Sequence, residues 1–355
     1  MYRNKPLLPD NPRILVVRTD RIGDVALSLP VFVSLRKAYP TAFIAALTRT
    51  YTRDLLVGRD DVDLVIDFPA DSPHVPKQWY ASLKEAIASQ KFDAAILLFS
   101  NYSVARLIKA AGIPVRIGPA SKVAVWFTLT HAIRQRRAKG TRHEADHNLD
   151  LLTPLGVAPV RDGRIPLPDA ARRTFGDGSD RGVVGLHPGH GGSSQNWPKA
   201  SYVALARRLA DDGYRAVVTG SSAERALVER IVTDARVGAD ERVAARIEPF
   251  VNTGGIGDLL AVLAGLDVFV ASSTGPLHLA SAVGTPVVGI YSPVFVCLPE
   301  RWGPIGPDDV ALVPPYGPCR RCVGARCPHH DCMTSISVEQ VCRAALSRLA
   351  DRRAA

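Results

Sequence analysis

Two α/β domains, each a doubly wound parallel sheet and facing each other across a cleft, are the architecture this sequence predicts. The chain has 355 residues, more than one hydrophobic core usually serves. Short apolar runs alternate with amphipathic helical ones, and the strand-like runs are apolar on both faces, as in a parallel sheet covered by helices. The alternation breaks once, in a segment rich in Pro and Gly at 156–180, and then restarts.

In the first half, strands are expected at 14–17, 43–47, 64–66, 94–99 and 115–117, with helices near 25–39, 50–56, 77–89 and 104–111. The second half gives strands at 183–186, 216–219, 243–247, 268–271 and 287–290, with helices at 201–209, 223–235, 256–263 and 278–283. The predicted organisation is an N-terminal domain 1–160, a linker 161–180, a C-terminal domain 181–336 and a final helix 337–355. Ligands of doubly wound sheets bind beyond the carboxyl ends of the strands, so the loops after strands are the ones to read.

Four such loops stand out. Arg18-Thr19-Asp20-Arg21-Ile22-Gly23-Asp24 follows the first strand. Gly23 permits a tight turn, and Asp24 reads equally as a cap for a helix from Val25 and as a catalytic carboxylate at the cleft. The stretch His187-Pro188-Gly189-His190-Gly191-Gly192-Ser193-Ser194-Gln195-Asn196-Trp197-Pro198 offers N–H and hydroxyl donors suited to a diphosphate. It has neither a Walker pattern nor the dinucleotide glycine spacing, and a plain flexible loop is the alternative. In Gly220-Ser221-Ser222-Ala223-Glu224, Ser222 reads as a helix cap and Glu224 as a first-turn carboxylate able to bond a ribose. Ser273-Thr274-Gly275-Pro276-Leu277-His278 is a strand, a small-residue turn and a helix start, where free N–H groups and the positive helix end favour phosphate.

Net charge is +10, which favours acidic partners. The cations concentrate at Arg134, Arg136, Arg137, Lys139, Arg142 and His143, readable as a solvated loop or an anion-binding face. No nucleic-acid-binding motif accompanies them, so no nucleic-acid partner is expected. The residues from Met1 to Pro6 lack the apolar core of a signal peptide, and no run reaches the roughly 18–20 apolar residues of a membrane span. A cytoplasmic location is expected. Cys319, Cys322, Cys327 and Cys332, with His329 and His330 among them, fit a structural zinc or iron that staples the loop 319–332. Disulfides and free thiols are the alternatives.

Together these loops resemble glycosyltransferase family 9, the heptosyltransferase family of lipopolysaccharide core assembly. The matching stretches are 18–30, 187–198 and 273–278, followed by Gly284-Thr285-Pro286-Val287-Val288-Gly289. The resemblance implies the GT-B architecture: two Rossmann-like domains, the first receiving the acceptor and the second holding a nucleotide sugar. It implies an inverting transfer with Asp24 as base. It places His187, Gly189, Ser193, Ser194, Gln195, Ser273, Thr274, Gly275 and His278 around the donor; Ser222 and Glu224 are read as joining them, and the charge of Arg21, Arg134, Arg136 and Arg137 is read as facing the acceptor. ADP-heptose is the favoured donor and an anionic glycolipid the favoured acceptor, with no metal in the chemistry and contact at the inner face of the inner membrane. Many members carry Asp or Asn where this chain has Ser273, and Lys where it has Gln195. A family-9-like transferase with another nucleotide sugar or acceptor, and a binding protein without activity, are the competing readings.

Overall fold

A computed structural model describes residues 7–69, 75–176, 178–192, 194–319, 327 and 331–354. The chain divides into two compact units, Met1–Gly163 and Arg164–Ala355.

In the first unit the described strands are β1 (Arg13–Arg18), β2 (Phe43–Arg49), β3 (Leu64–Phe68), β4 (Ala94–Leu97), β5 (Val115–Pro119) and β6 (His131–Ile133). They pair in parallel in the order β3-β2-β1-β4-β5-β6. Leu15 and Val17 of β1 pack into one core with Ala45, Leu47, Ala95 and Leu97, while Ile14 and Val16 are buried on the opposite face. The unbroken apolar strand is the consequence of that two-sided burial. The helices are α1 (Ile22–Ala26), α2 (Leu29–Ala38), α3 (Lys77–Ala88), α4 (Tyr102–Ala110), α5 (Val123–Trp126) and α6 (Glu144–Asp150).

The second unit repeats the plan with β7 (Val183–His187), β8 (Arg215–Ser221), β9 (Ile247–Asn252), β10 (Val268–Ser272), β11 (Val287–Ile290) and β12 (Val310–Leu312), in the parallel order β12-β11-β10-β7-β8-β9. Its helices are α7 (Lys199–Asp211), α8 (Arg225–Arg236), α9 (Glu241–Ala245), α10 (Ile256–Ala264), α11 (Gly275–Ala282), α12 (Pro299–Trp302) and α13 (Val338–Ala354). Val341, Cys342, Ala345 and Leu349 of α13 join Tyr202, Leu205, Val228 and Ile231 in the core of this unit. The segment after Gly163 is tied to the same unit, with Ile165 N–H donating to Ala282 C=O at 2.8 Å and Arg173 N–H to Ala261 C=O at 2.9 Å.

Several elements differ from the sequence expectation. The helix read across 25–39 is two helices, α1 and α2, because Pro30 has no N–H for a continuous ladder and instead fits the first turn of α2. Residues 50–55 form a tight 3₁₀ turn. The strand expected at 243–247 is mostly α9: Asp240 accepts from Val243 N–H at 2.8 Å and starts a helix, and β9 begins only at Ile247. The edge strands β6 and β12 and the helix α6 were not read from the sequence. They are short, and α6 is coded by Glu, Asp, His and Asn more than by apolar periodicity.

Candidate active site

Both sheets have the strand order 3-2-1-4-5-6 within their unit. In that winding the crevice opens where the order reverses, beyond the carboxyl ends of the first and fourth strands. In the first unit these are β1 and β4, and Arg18 and Leu98 stand there. In the second they are β7 and β10, followed by the loops from His187 and Ser273.

Arg18 organises the first site. Its side chain is 4% exposed, and burying a guanidinium is costly unless carboxylates and carbonyls surround it. Nη2 lies 2.6 Å from Asp24 Oδ1 and 3.6 Å from Glu144 Oε1. Nη1 donates to Asn148 Oδ1 at 3.1 Å and to Leu98 C=O at 3.3 Å. Burial opposes the charge of Arg18, but Asp24, Asp20 and Glu144 outweigh it and raise its proton affinity further. Asp24 lies in the first turn of α1 rather than before it, which corrects the reading of it as the residue capping a helix from Val25. Its Oδ2 accepts from Arg21 N–H at 3.3 Å. Arg18 thus fixes one carboxylate oxygen, while the side chain keeps 19% of its surface exposed.

Of the cations assigned to the acceptor, Arg21, Arg134 and Arg136 are exposed. Arg137 turns inward to pair with Glu144, and its Nη2 donates to Asn148 Oδ1 at 3.4 Å. Glu144 and Asn148, one turn apart on α6, therefore link Arg137 to Arg18 and through it to Asp24. Sequence reasoning missed Glu144, Asn148 and Asp20. The one available signal was the charged run Arg18-Thr19-Asp20 ending an apolar strand.

In the second unit, His187 closes β7 and is buried, its Nδ1 3.1 Å from Thr219 Oγ1. Burial lowers its proton affinity, with the nearby Glu224 pulling the other way. Glu224 accepts from Ser221 N–H at 2.9 Å and from Ser221 Oγ at 2.8 Å. The residue at the head of that turn is Ser221, a correction to the reading of Ser222, which is exposed within the turn. Glu224 is pulled below its ordinary proton affinity: burial resists, and the Ser221 N–H and His187 overcome it. Gly189 sits against this carboxylate, and a Cβ there would collide with Glu224 Oε1.

Ser194, Gln195 and Ser273, with Gly191, Asn196 and Ser292, line a recess with room for roughly one water molecule. Gln195 Oε1 accepts from Cys332 Sγ at 3.0 Å. Asn196, which the sequence reading left unassigned, donates to Pro188 C=O at 2.7 Å and accepts from Ser272 Oγ. Thr274 precedes α11, whose first residues are Gly275 and Pro276. Its Oγ1 is buried and finds no hydrogen-bond partner among the described residues. His278, in the first turn of α11, is buried. Ser193 lies outside the described residues. A larger cavity of about 550 Å³ opens beside the carboxyl end of β9, lined by Arg173, Arg225, Phe250, Asn252, Thr253 and Asp258 among others.

Cys319, Cys327 and Cys332 are half-buried, and Cys322, His329 and His330 lie outside the described residues. Among the described residues no group of three or more His, Cys, Asp or Glu is gathered as for a metal. No helix among them is long and apolar enough to cross a membrane.

The family model described as glycosyltransferase family 9 (heptosyltransferase) matches residues 80–332. A Haemophilus influenzae protein named only as a glycosyltransferase is 32% identical over 325 residues, covering 86% of this chain and 90% of its own. Lipopolysaccharide heptosyltransferase 2 of Escherichia coli is 23% identical, covering 79% of this chain and 83% of its own. The solved structure of the E. coli ADP-heptose lipopolysaccharide heptosyltransferase II superposes with a TM-score of 0.78 at 20% identity, over 96% of this chain and 99% of that one. That likeness establishes a shared GT-B fold.

Proposed function

The chain belongs to glycosyltransferase family 9, and on that premise we propose that it transfers heptose from ADP-heptose, with inversion, to an anionic lipopolysaccharide core precursor. The observation that carries the reading is Asp24, held by Arg18 at 2.6 Å beyond the carboxyl end of β1, at the place where such a sheet receives a ligand. Relatives named as heptosyltransferases support it, and so does the likeness of the fold to a solved enzyme named for ADP-heptose.

In this mechanism an acceptor hydroxyl attacks the anomeric carbon as the bond from that carbon to the diphosphate oxygen breaks. The proton passes to Oδ2 of Asp24, the oxygen that Arg18 does not hold, and ADP leaves with the electron pair. A base so placed contributes typically about 10²–10⁴ in rate. Negative charge grows on the departing diphosphate, and the N–H groups at the start of α11 and of the 189–194 loop are the donors suited to it. Gln195 and Ser273 are neutral, so main-chain donors and Thr274 carry more of that task than a Lys would leave them. Glu224 suits a ribose diol, and the cavity beside β9 is of a size that accepts a nucleoside. Arg21, Arg134, Arg136 and Arg137 are assigned to the anionic acceptor. The reading includes a reaction without a divalent metal, a structural zinc or iron at Cys319, Cys322, Cys327 and Cys332, and work at the cytoplasmic face of the inner membrane. Metal analysis of the purified protein checks the second of these.

A thermal-shift panel of ADP-, GDP- and UDP-sugars tests the donor, since stabilisation follows RT ln(1 + [L]/Kd). ADP-heptose is expected to raise the melting temperature most. A larger rise with a GDP- or UDP-sugar assigns a different donor, and no rise with any of them overturns the transferase reading in favour of a protein that has lost its donor site.

A further inference from the structure

One turn of helix in the first unit presents bulky apolar side chains to solvent. In α5 and the residue after it, Val123, Trp126 and Phe127 are 73%, 54% and 69% exposed, whereas Val125 is fully buried. The spacing i, i+3, i+4 puts the three exposed side chains on one face, and Val125 anchors the opposite face in the core with Val104 and Ile108 of α4. The rings of Trp126 and Phe127 lie together, centroids 5.3 Å apart. Isolated exposed hydrophobics are ordinary, but a Trp–Phe–Val face on a well-anchored turn is a contact surface.

Charge identifies what it contacts. From Ala94 to His143 there is no Asp or Glu, while Arg106, Lys109, Arg116, Lys122, Arg134, Arg136, Arg137, Lys139 and Arg142 all fall within that stretch. Lys122 immediately precedes the turn and is exposed, and Lys109 Nζ donates to Phe127 C=O at 3.3 Å, which places a cation beside the aromatic pair. Trp with flanking Lys and Arg is the side-chain set that settles at the headgroup level of a bilayer. Apolar insertion or charge alone binds weakly and reversibly, and the two together give stable attachment.

We propose that the Val123–Trp126–Phe127 face, with Lys109 and Lys122, docks the protein on an anionic lipid bilayer. The aromatic rings enter the interface and the lysines meet phosphate headgroups. This surface gives residues to the membrane contact of the proposed function and rests on that part of it, but it acts without acceptor or donor, so its failure is distinguishable from a failure of sugar transfer.

Co-sedimentation of the full chain with vesicles of phosphatidylcholine alone, or mixed with phosphatidylglycerol, tests it. The protein is expected to pellet with the anionic vesicles, to stay soluble with the neutral ones, and to be released by salt. Trp126→Ser combined with Phe127→Ser is expected to reduce binding at least about tenfold. Lys109→Gln with Lys122→Gln is expected to reduce it by about fivefold for each charge removed. All four side chains are exposed, and unchanged melting temperatures would verify folding of the variants. A wild-type protein that stays in solution with anionic vesicles overturns the proposal, as does undiminished binding by the aromatic variant. So does a wild-type dimer that the aromatic variant converts to monomer, because a second copy would then cover the face.

Discussion

Asp20 shows how burial and pairing compete around Arg18. Its Oδ2 stands 3.0 Å from Arg18 Nε, yet the two atoms are misaligned, and each lacks a hydrogen bond among the described residues. Burial therefore dominates and pushes the Asp20 carboxyl from 3.8 up to about 6; Arg18 pulls it back down, and the charge of Asp24 adds to the rise. A carboxyl that binds its proton more tightly folded than unfolded favours the fold on the acid side. That contribution is complete below about 3.8 and is lost as pH rises through about 6. Asp20→Asn, which removes the buried ionisation, is expected to gain melting temperature relative to wild type as pH passes from 5 to 7, measured by scanning calorimetry. A relative loss over that window would mean that Arg18 stabilises the ionised Asp20 instead. Asp24 was singled out in the sequence because Gly23 and a helix start follow the first apolar strand, whereas the pairing role of Arg18 was not read. Glu144 and Asn148 were not legible: they reach Arg18 across more than 120 residues of chain, and only the fold of α6 brings them there.

At the scale of elements, the loop after β7 and the turn after β8 fit each other through an absent side chain. Gly189 leaves the space that Glu224 Oε1 occupies, while the same carboxylate is held by the N–H and hydroxyl of Ser221. Gly189→Ala is expected to push Glu224 off Ser221 and to weaken nucleotide-sugar binding about tenfold, consistent with the loss of one or two charge-assisted hydrogen bonds. Titration calorimetry measures it; an unchanged Kd would remove Glu224 from the donor site. Helices and strands with long apolar periodicity were readable, as with α7 and β10. The errors fell where one polar residue decides: Asp240 turned a β-like Val-Ala-Ala run into α9, and Pro30 split one helix into two. Ser221 rather than Ser222 heads the turn before α8 because Glu224, three residues on, bonds back to it.

Over the whole molecule, the same 3-2-1-4-5-6 winding occurs twice, and the loops proposed to carry the chemistry follow β1 in the first sheet and β7, β8 and β10 in the second. The alternation of elements implied two parallel sheets, but strand order is a tertiary property, and the short edge strands β6 and β12 carry too little apolar pattern to be read locally. The division of labour has a sharp consequence: Asp24 belongs to the first unit, and the loops assigned to the donor belong to the second. The most direct measurement compares wild type and Asp24→Asn for transfer from ADP-heptose to a lipopolysaccharide core precursor and, in parallel, for thermal stabilisation by ADP-heptose. The account predicts that transfer falls about 10²–10⁴-fold while the stabilisation is unchanged. Retained transfer, or transfer and donor binding lost together, would contradict it.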